Sequence, residues 1–160
     1  YGGRKMYKLR RATQDDYSFA YNLIKTNMKD YAVRIWGTWN EDFQEKFFKN
    51  YFSTKIFQII VVENKDVGII ALDKNKTAII IYEIHLLPQY QRKGIGSLIF
   101  SDIIKIAQKE NLEITLKVLK INFAAQKFYN KFGFEKYGET ETHFLLKKKP
   151  FNCFSNYYCS

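Results

Sequence analysis

The alternation of apolar and polar positions along the chain predicts eleven elements in the order β-α-α-β-β-β-α-β-α-β-β. Short apolar runs bounded by turn residues indicate strands, and apolar residues that recur every three or four positions indicate helices. The predicted strands are residues 6–11, 56–63, 67–73, 78–87, 112–119, 134–137 and 142–147, and the predicted helices begin near Gln14 and Asn40 and cover 97–109 and 122–132. Helices interspersed in this way with strands indicate an α/β fold, with a mixed sheet covered by helices on both faces.

Capping residues mark several of the predicted helix ends. Thr13 and Asp16 have the spacing of a capping box, and Asn40 is a suitable N-cap for the second helix. Gly133 follows the last helix, where a left-handed C-terminal cap is expected, and residues 34–39, which carry both tryptophans, are predicted to form a loop. The side chains predicted to face the core are Ala20, Leu23, Ile24 and Met28 in the first helix, Phe43, Phe47, Phe48, Tyr51 and Phe52 in the second, and Leu98, Ile99, Ile103, Ile106 and Ala107 in the third.

The composition is that of one globular domain, which we place at residues 6–148. The chain has 160 residues, of which 46% are hydrophobic and 26% charged, and this balance excludes disorder, collagen and coiled coil as its main character. No apolar run reaches the roughly 18–20 residues of a membrane span, and no apolar signal-peptide core is present. Met6 is expected to be the native first residue, with residues 1–5 a remnant of expression and residues 149–160 a C-terminal tail.

Cysteine usage predicts a cytoplasmic protein without a bound metal. Cys153 and Cys159 both lie in the last eight residues, and this placement provides neither a disulfide framework nor the spacing of a metal site. A reducing compartment is therefore expected.

The net charge of +10 favours anionic partners such as nucleic acid, a membrane surface, an acidic protein or a polyphosphate cofactor. The lysines are scattered except at 147–149, and no nucleic-acid recognition motif is present. A nucleic-acid-binding module without catalysis therefore stays an alternative that charge alone supports.

A strand followed by a basic, glycine-containing loop and a helix forms the most informative segment. Residues 91–96 read Gln-Arg-Lys-Gly-Ile-Gly and directly precede the predicted helix at 97–109. A helix N-terminus presents unpaired N–H groups and the positive end of the helix dipole, so it binds anions. Glycines allow the backbone to approach a phosphate closely, and Arg92 and Lys93 add positive charge. The segment therefore predicts a pyrophosphate site.

Three kinds of phosphate-binding loop are candidates for this segment. A Walker loop requires Gly-x4-Gly-Lys-Ser/Thr, which the chain lacks. A dinucleotide-binding loop has Gly-x-Gly-x-x-Gly in an early βαβ unit, whereas here the motif lies in the middle of the chain and Ile99 occupies the third glycine position. The third kind is the Gln/Arg-x-x-Gly-x-Gly/Ala loop of the GNAT superfamily of N-acetyltransferases, which Gln91-x-x-Gly94-x-Gly96 resembles at every fixed position.

The resemblance to the GNAT superfamily extends well beyond this loop. Residues 86–97 resemble the family's fourth strand and pyrophosphate segment, and residues 122–134 resemble its second motif, Asn-x-x-Ala-x-x-x-Tyr-x-x-x-Gly-Phe. The order of elements also agrees, so the resemblance covers residues 6–148. It implies the GNAT fold, a central mixed and mostly antiparallel sheet in which the fourth and fifth strands splay apart.

The resemblance implies acetyl-CoA as the co-substrate, lying across the sheet between those two strands, and it implies no metal. The pantetheine arm then follows the backbone of Ile84 and Leu86, and Asn122 forms a hydrogen bond with it. Ala125 and Phe128 line the adjoining wall. The pyrophosphate site then comprises Gln91, Arg92, Lys93, Gly94, Ile95, Gly96 and Ser97.

Acetyl transfer to an amine needs a base, a donor to the developing oxyanion and an acid for the leaving thiolate. The resemblance places Tyr129 at the position of the acid and the backbone N–H of Leu86 at the oxyanion. Glu83 and His85 are candidate bases because they interrupt an otherwise apolar strand and, two residues apart, share one face. A frequent acidic position of the family is Ile80 here, so the identity of the base stays open.

The acceptor pocket of the family is built from the first two helices, their connecting loop and the last strands. On this chain it corresponds to Tyr31, Arg34, Trp36, Trp39 and Glu141. The tryptophans either anchor the loop over the core or line the pocket, where their rings would suit an apolar or cationic acceptor.

The resemblance implies transfer to a primary amine by direct attack in a ternary complex, since both cysteines lie outside the motifs. A bare single domain favours a small-molecule acceptor, and a protein N-terminus or lysine is the alternative. A homodimer is compatible with the sequence, which does not define an oligomeric state.

Overall fold

The computed structural model of the chain describes residues 6–54 and 56–151. The strands are β1 Lys8–Arg11, β2 Phe57–Val62, β3 Lys65–Lys74, β4 Ala78–Leu86, β5 Glu113–Leu119, β6 Glu135–Glu139 and β7 His143–Lys148. The helices are α1 Tyr17–Trp36, α2 Glu41–Tyr51, α3 Ile95–Glu110 and α4 Phe123–Lys131, and short 3₁₀ turns occupy Gln14–Asp16 and Pro88–Tyr90. Cys153 and Cys159 lie outside the described residues, as does most of the predicted tail.

The strands form one mixed sheet in the order β1-β2-β3-β4-β5-β7-β6. All neighbouring strands are antiparallel except β4 and β5, which are parallel. The parallel pairing joins only Ala78–Ile81 of β4 to Glu113–Leu116 of β5, although both strands continue further. The predicted mixed sheet with splayed fourth and fifth strands is therefore confirmed.

The sheet separates two apolar cores. The helices α3 and α4 pack on one face, and α1 and α2 pack on the other. The first core contains Ile70, Ile79, Ile81, Ile99, Phe100, Leu116 and Phe134 among others, and the second contains Ala20, Leu23, Phe48, Phe57, Ile59 and Ile69. Phe57 and Phe100 are the largest fully buried side chains, one in each core.

A β-bulge in β4 determines which of its side chains face each core. In the pairing with β3, Ala71 lies opposite Glu83 and Leu72 lies opposite Ile81, so Tyr82 is an extra residue. The side chains of Ile79 and Ile81 before the bulge and of Ile84 and Leu86 after it pack on the α3–α4 core. An extra residue shifts the alternation of the strand, and as a result Glu83 and His85 both face the α1–α2 side.

The capping predictions are confirmed. The backbone N–H of Thr13 donates to Asp16 Oδ2 at 2.8 Å, which closes the capping box, and the side chain of Asn40 accepts from the N–H of Phe43. Gly133 adopts a left-handed φ of 80° after α4. In the described part of the chain, no helix is both long and apolar enough to cross a membrane.

The predicted loop at residues 34–39 is partly wrong. Helix α1 continues to Trp36, so Arg34 and Trp36 are helical, and it ends at Gly37, whose φ is 80°. The helix ends there because Gly37 adopts the left-handed conformation of a C-terminal cap. The two tryptophans do not indicate where the helix ends.

Parts of the predicted inward stripes are also wrong. Phe43 and Phe47 are 63% and 57% exposed, and Leu98 and Ile106 are 41% and 46% exposed. Helix α2 carries apolar residues around more than one face, and only the side with Phe48 meets the sheet. In α3 the predicted Ile99, Ile103 and Ala107 are buried, and Ile95 and Phe100 complete the buried stripe in place of Leu98 and Ile106.

Candidate active site

The gap between the diverging parts of β4 and β5 opens into a cavity of about 840 Å³. Its walls come from α1, α2, β4, β5 and α4, with single residues from β6 and β7 at one end. The predicted site residues that line it are Tyr31, Arg34, Glu83, Ile84, His85, Gln91, Asn122, Ala125 and Tyr129. The fold therefore brings together residues that are distant in sequence, and Glu83 and Tyr129 line the same cavity.

The backbone of β4 turns hydrogen-bonding groups toward this gap. The N–H of Leu87 donates to the carbonyl of Val67 at 2.8 Å, and alternate residues of an antiparallel strand point their backbone groups to opposite sides. Ile84 and Leu86 therefore direct theirs away from β3 and toward β5, as the sequence analysis expected of the residues along the pantetheine. The Leu86 carbonyl accepts from Asn27 Nδ2 at 3.0 Å and from Gln91 Nε2 at 2.9 Å.

The start of α3 has the geometry of an anion site. Arg92 and Gly94 adopt left-handed φ values of 58° and 83°, and the first α-helical hydrogen bond of α3 runs from the N–H of Leu98 to the carbonyl of Gly94. The N–H groups of residues 95–97 therefore have no acceptor within the helix. A Cβ added at Gly96 would meet only Phe128 Cζ, at an ordinary 3.7 Å. The packing of the protein itself does not require a glycine there, so this bare backbone fits close approach by a phosphate group.

The remaining predicted cofactor residues lie around this loop and α4. Asn122 caps α4 by accepting from the N–H of Ala125 at 3.1 Å, which leaves its amide NH₂ for another partner. Phe128 packs edge-on against Phe100, with ring centroids 5.2 Å apart. Lys93 Nζ lies 5.7 Å from the ring centroid of Tyr90. Ile95 is buried at the start of α3, whereas Ser97 is exposed.

Glu83 and His85 form a hydrogen-bonded pair within the cavity wall. His85 Nε2 lies 2.7 Å from Glu83 Oε2, and the side chains are 9% and 25% exposed respectively. The other ring nitrogen of His85 lies 3.4 Å from Asn27 Nδ2. Tyr51 lines the same cavity as Glu83. Burial raises the pKa of its phenol, and the charge of the Glu83 carboxylate and hydrogen bonding to it raise that pKa further.

Tyr129 is held among aromatic rings and lines the cavity. Its ring centroid lies 5.4 Å from that of Phe100, 5.6 Å from that of Phe128 and 5.8 Å from that of Phe134. Burial, and to a smaller degree the charge of Glu83, raises the pKa of Tyr129 to about 12. The phenol is therefore protonated throughout the neutral range.

Three of the predicted acceptor residues lie away from the cavity lining. Trp36 is 60% exposed on the end of α1. Trp39 packs against the α1–α2 core and donates from Nε1 to Glu41 Oε2 at 3.2 Å, which is the anchoring role. Glu141 is exposed in the turn between β6 and β7.

Other cavity residues were not predicted from the sequence. They are Asn27, Phe47, Tyr51, Tyr82, Lys117, Tyr137 and His143 among others. Asn27 had a visible signal, because it follows Leu23 by four residues and precedes Tyr31 by four, so that an amide interrupts a helical apolar face. The helical apolar pattern predicts Phe47 and Tyr51 as core residues, and for this reason neither is predicted as a site residue. His143 also lines the cavity, and burial and the nearby charge of Lys117 lower its pKa.

Among the described residues, no group of histidine, cysteine, aspartate and glutamate side chains is arranged to hold a metal ion.

Comparison with known proteins identifies the family. The model of the acetyltransferase (GNAT) family matches residues 13–134. The uncharacterized N-acetyltransferase CgeE of Bacillus subtilis is 32% identical over 81 residues, which are 49% of this chain and 31% of CgeE. An uncharacterized N-acetyltransferase of Archaeoglobus fulgidus is 24% identical over 139 residues, which are 76% of this chain and 88% of that protein. This chain thus matches less than a third of the length of CgeE.

The fold is shared with solved acetyltransferase structures. The PaiA N-acetyltransferase of Thermoplasma acidophilum, crystallised in complex with coenzyme A, superposes with a TM-score of 0.68 at 19% identity. The superposition covers 89% of this chain and 98% of that one. Together with the match over residues 13–134, this agreement shows that the chain belongs to the GNAT family of acetyltransferases.

Proposed function

We propose that this protein transfers the acetyl group of acetyl-CoA to the primary amine of a small molecule, by direct attack in a ternary complex. The observation that carries the proposal is the divergence of β4 and β5 beyond Ile81. Gln91 of the loop before α3, Glu83 and Tyr129 all line the cavity into which the resulting gap opens.

The residues around the gap suit acetyl-CoA. The free N–H groups at the start of α3, with Arg92 and Lys93 beside them, would bind the pyrophosphate. The inward-facing backbone groups of Ile84 and Leu86 and the amide of Asn122 would bind the pantetheine. Acetyl-CoA supplies an activated thioester, and the protein supplies its binding and the proton transfers.

Glu83 and Tyr129 have the chemistry that the two proton transfers need. Glu83 would accept the proton that the amine loses as its nitrogen forms a bond to the acetyl carbon. Tyr129 would donate its phenolic hydrogen to the coenzyme A sulfur as the carbon–sulfur bond breaks. The N–H of Leu86 points into the gap and would stabilise negative charge on the acetyl oxygen.

The charges of Glu83 and Tyr129 are coupled in a way that favours this sequence of events. Burial raises the pKa of Tyr129 to about 12, and the negative charge of Glu83 contributes to the rise. When Glu83 takes up the amine proton it becomes neutral, and this contribution disappears. The phenol thus becomes a stronger acid as the leaving thiolate forms.

Exposed aromatic rings at the cavity mouth indicate an acceptor with an apolar body. Phe47 is 57% and Tyr82 45% exposed, and both line the cavity. The ring of Phe47 stacks against that of Tyr51, with centroids 5.8 Å apart, so an aromatic surface leads from the outside of α2 toward Glu83. The volume of about 840 Å³ is within the range of small-molecule sites.

Thermal unfolding with and without acetyl-CoA is the first test of the proposed function. Acetyl-CoA at about 100 times its dissociation constant should add about 2.7 kcal/mol to the free energy of unfolding. For a chain of this size the midpoint should rise by roughly 5–10 °C. ATP and NAD at the same concentration serve as controls and should give no comparable shift. No shift with acetyl-CoA would refute the proposed cofactor.

A panel of amines, assayed by release of free coenzyme A thiol, tests the acceptor. The proposal predicts that aromatic and alkyl amines are better substrates than short polar amines. The panel includes a peptide with a free N-terminus and a peptide with an internal lysine, because a protein acceptor is the alternative. Activity confined to the peptides would overturn the proposal of a small-molecule acceptor, whereas the proposal that the protein transfers acetyl groups would stand.

Two substitutions on α2 test the aromatic rim. Phe47→Ala should raise the KM for apolar amines about tenfold, because it removes much of one aromatic contact with the acceptor. The KM for short polar amines should stay unchanged. Phe43→Ala is the matched control, since Phe43 is 63% exposed, stacks on Phe47 and does not line the cavity. Equal effects of the two changes would contradict the acceptor site proposed at the rim.

A further inference from the structure

We propose that Asn27 is a positioning residue that holds His85 in the tautomer with its proton on Nε2, and that Glu83 rather than His85 is therefore the base. The sequence alone left both Glu83 and His85 open for this role. The tautomer is a property of the folded protein and does not depend on any substrate. The assignment of Glu83 as the base rests on the proposed function.

The first step is the orientation of the Asn27 amide. Its Nδ2 lies 3.0 Å from the carbonyl oxygen of Leu86, and a backbone carbonyl can only accept a hydrogen bond. The nitrogen of the amide, rather than its oxygen, must therefore face Leu86. Gln91 supports this orientation, because its Nε2 donates to the same carbonyl at 2.9 Å and to Asn27 Oδ1 at 3.3 Å.

The second step is the proton on His85. An amide nitrogen carries two hydrogens and accepts none. The Nδ2 group of Asn27, 3.4 Å from His85 Nδ1, thus presents a hydrogen to that ring nitrogen, which must accept it with its lone pair. In the neutral ring the single proton is then on Nε2, 2.7 Å from Glu83 Oε2, and is donated to the carboxylate.

The third step is the consequence for catalysis. Both ring nitrogens of His85 are engaged within the protein, and its side chain is only 9% exposed, so neither nitrogen is available to take a proton from an acceptor amine. Glu83 is 25% exposed in the cavity, with Tyr51 as its other neighbour, so its carboxylate is more accessible than the His85 ring. His85 fixes the direction of the carboxylate, and Asn27 fixes His85. The hydrogen-bonded series of Asn27, His85 and Glu83, which links α1 to β4, therefore orients the proposed base.

Nitrogen NMR of the histidine side chains tests the tautomer directly. The chain has two histidines, His85 and His143, and a His143→Gln variant assigns the two sets of signals. Long-range ¹H–¹⁵N correlation at neutral pH distinguishes a ring nitrogen that carries hydrogen from one that does not. The proposal predicts that in His85 the hydrogen is on Nε2. A hydrogen on Nδ1, alone or together with one on Nε2, would overturn it.

Variants of Asn27 provide a second spectroscopic test. Asn27→Asp replaces the donor with an acceptor while Glu83 still accepts from Nε2, so Nδ1 of His85 should gain a hydrogen. Asn27→Ala removes the donor but keeps the Glu83 contact, so the hydrogen should stay on Nε2 and serves as the control. A His85 Nδ1 that stays without hydrogen in Asn27→Asp would show that Asn27 does not position the ring. The wild-type spectrum decides the tautomer even if a variant fails to fold.

Kinetics then separate the base from the residues that position it. Glu83→Gln should lower kcat at least a hundredfold, as expected for loss of a general base. His85→Gln keeps a side-chain N–H donor, and Asn27→Ala removes the group that orients His85, so each should lower kcat on the order of tenfold. A larger loss in His85→Gln than in Glu83→Gln would identify His85 as the base. If no amine is acetylated by the wild type, the proposed function fails while the NMR result still stands.

Discussion

Replacement of Tyr129 by phenylalanine is the sharpest test of the proposed acid. With a pKa of about 12, the phenol at pH 7.5 is ionised in only about three molecules in 100,000 by the Henderson–Hasselbalch relation. Almost every protein molecule thus carries the phenolic hydrogen that the proposed acid would donate, and Tyr129→Phe removes it while the ring stays.

The structure indicates that this substitution leaves the fold intact. The ring of Tyr129 packs among Phe100, Phe128 and Phe134, contacts that phenylalanine preserves. No hydrogen bond of its hydroxyl to another described residue is found, so no partner would be left unsatisfied. A volume-conserving change of this kind should alter the free energy of unfolding by less than about 1.5 kcal/mol. The dissociation constant of acetyl-CoA should likewise change little.

The expected loss of activity is between tenfold and a thousandfold in kcat. Removal of one hydrogen-bond donor to developing charge typically costs on the order of 10²–10³ in rate, and tenfold corresponds to about 1.4 kcal/mol. The assay is steady-state release of coenzyme A thiol at saturating acetyl-CoA. Tyr90→Phe is the control, because Tyr90 packs on the same core and does not line the cavity. An unchanged kcat in Tyr129→Phe, or an equal loss in Tyr90→Phe, would refute the assignment of Tyr129 as the acid.

Three further predictions follow from individual contacts. Gly96→Asp should abolish acetyl-CoA binding, measured by calorimetry, through its charge at the anion site, whereas Gly96→Ala should fold normally because a Cβ meets only Phe128 at 3.7 Å. The bidentate contact with Arg10 lowers the pKa of Asp16, so its stabilising contribution is present above the unfolded pKa near 3.8 and is lost as the pH falls through the folded value. Asp16→Asn should therefore lower the free energy of unfolding by about 2 kcal/mol at pH 7. It should also weaken the dependence of that free energy on pH in the acid range, and an unaltered dependence would refute this prediction. Lys117→Met should raise the pKa of His143, followed by NMR titration, since Lys117 is one cause of its depression; an unchanged value would leave burial as the sole cause.

Local signals in the sequence account for most of the elements. The capping box at Thr13 and Asp16, the N-cap at Asn40 and the left-handed Gly133 are short-range features, and each forms as predicted. The exposed faces of α2 and α3 were predicted wrongly for Phe43, Phe47, Leu98 and Ile106. A helix with apolar residues on more than one face can bury any of them, and only its docking on the sheet decides which.

The candidate site was predictable where it is contiguous in sequence and obscure where it is assembled from distant segments. Gln91 and the glycines at 94 and 96 stand together, and this segment leads into α3, which begins at Ile95 with Gly94 as its N-cap. Asn27, Tyr51 and Tyr137 come from three elements and meet only in the folded chain. Tyr51 and Tyr137 have ordinary structural interpretations when they are considered alone, and only Asn27, an amide on an apolar helix face, gave a signal.

The sequence by itself determined the order of the elements, the helix caps and the glycine loop at the start of α3, because these depend on residues close together along the chain. Only the tertiary structure decided which way Glu83 and His85 point. Strict alternation along β4 would have put them on the same face as Ile79 and Ile81, under α3, and the bulge at Tyr82 turned them to the α1–α2 side instead. An extra residue in a strand is defined only by the partner strand opposite it, and that pairing between β3 and β4 is a property of the fold.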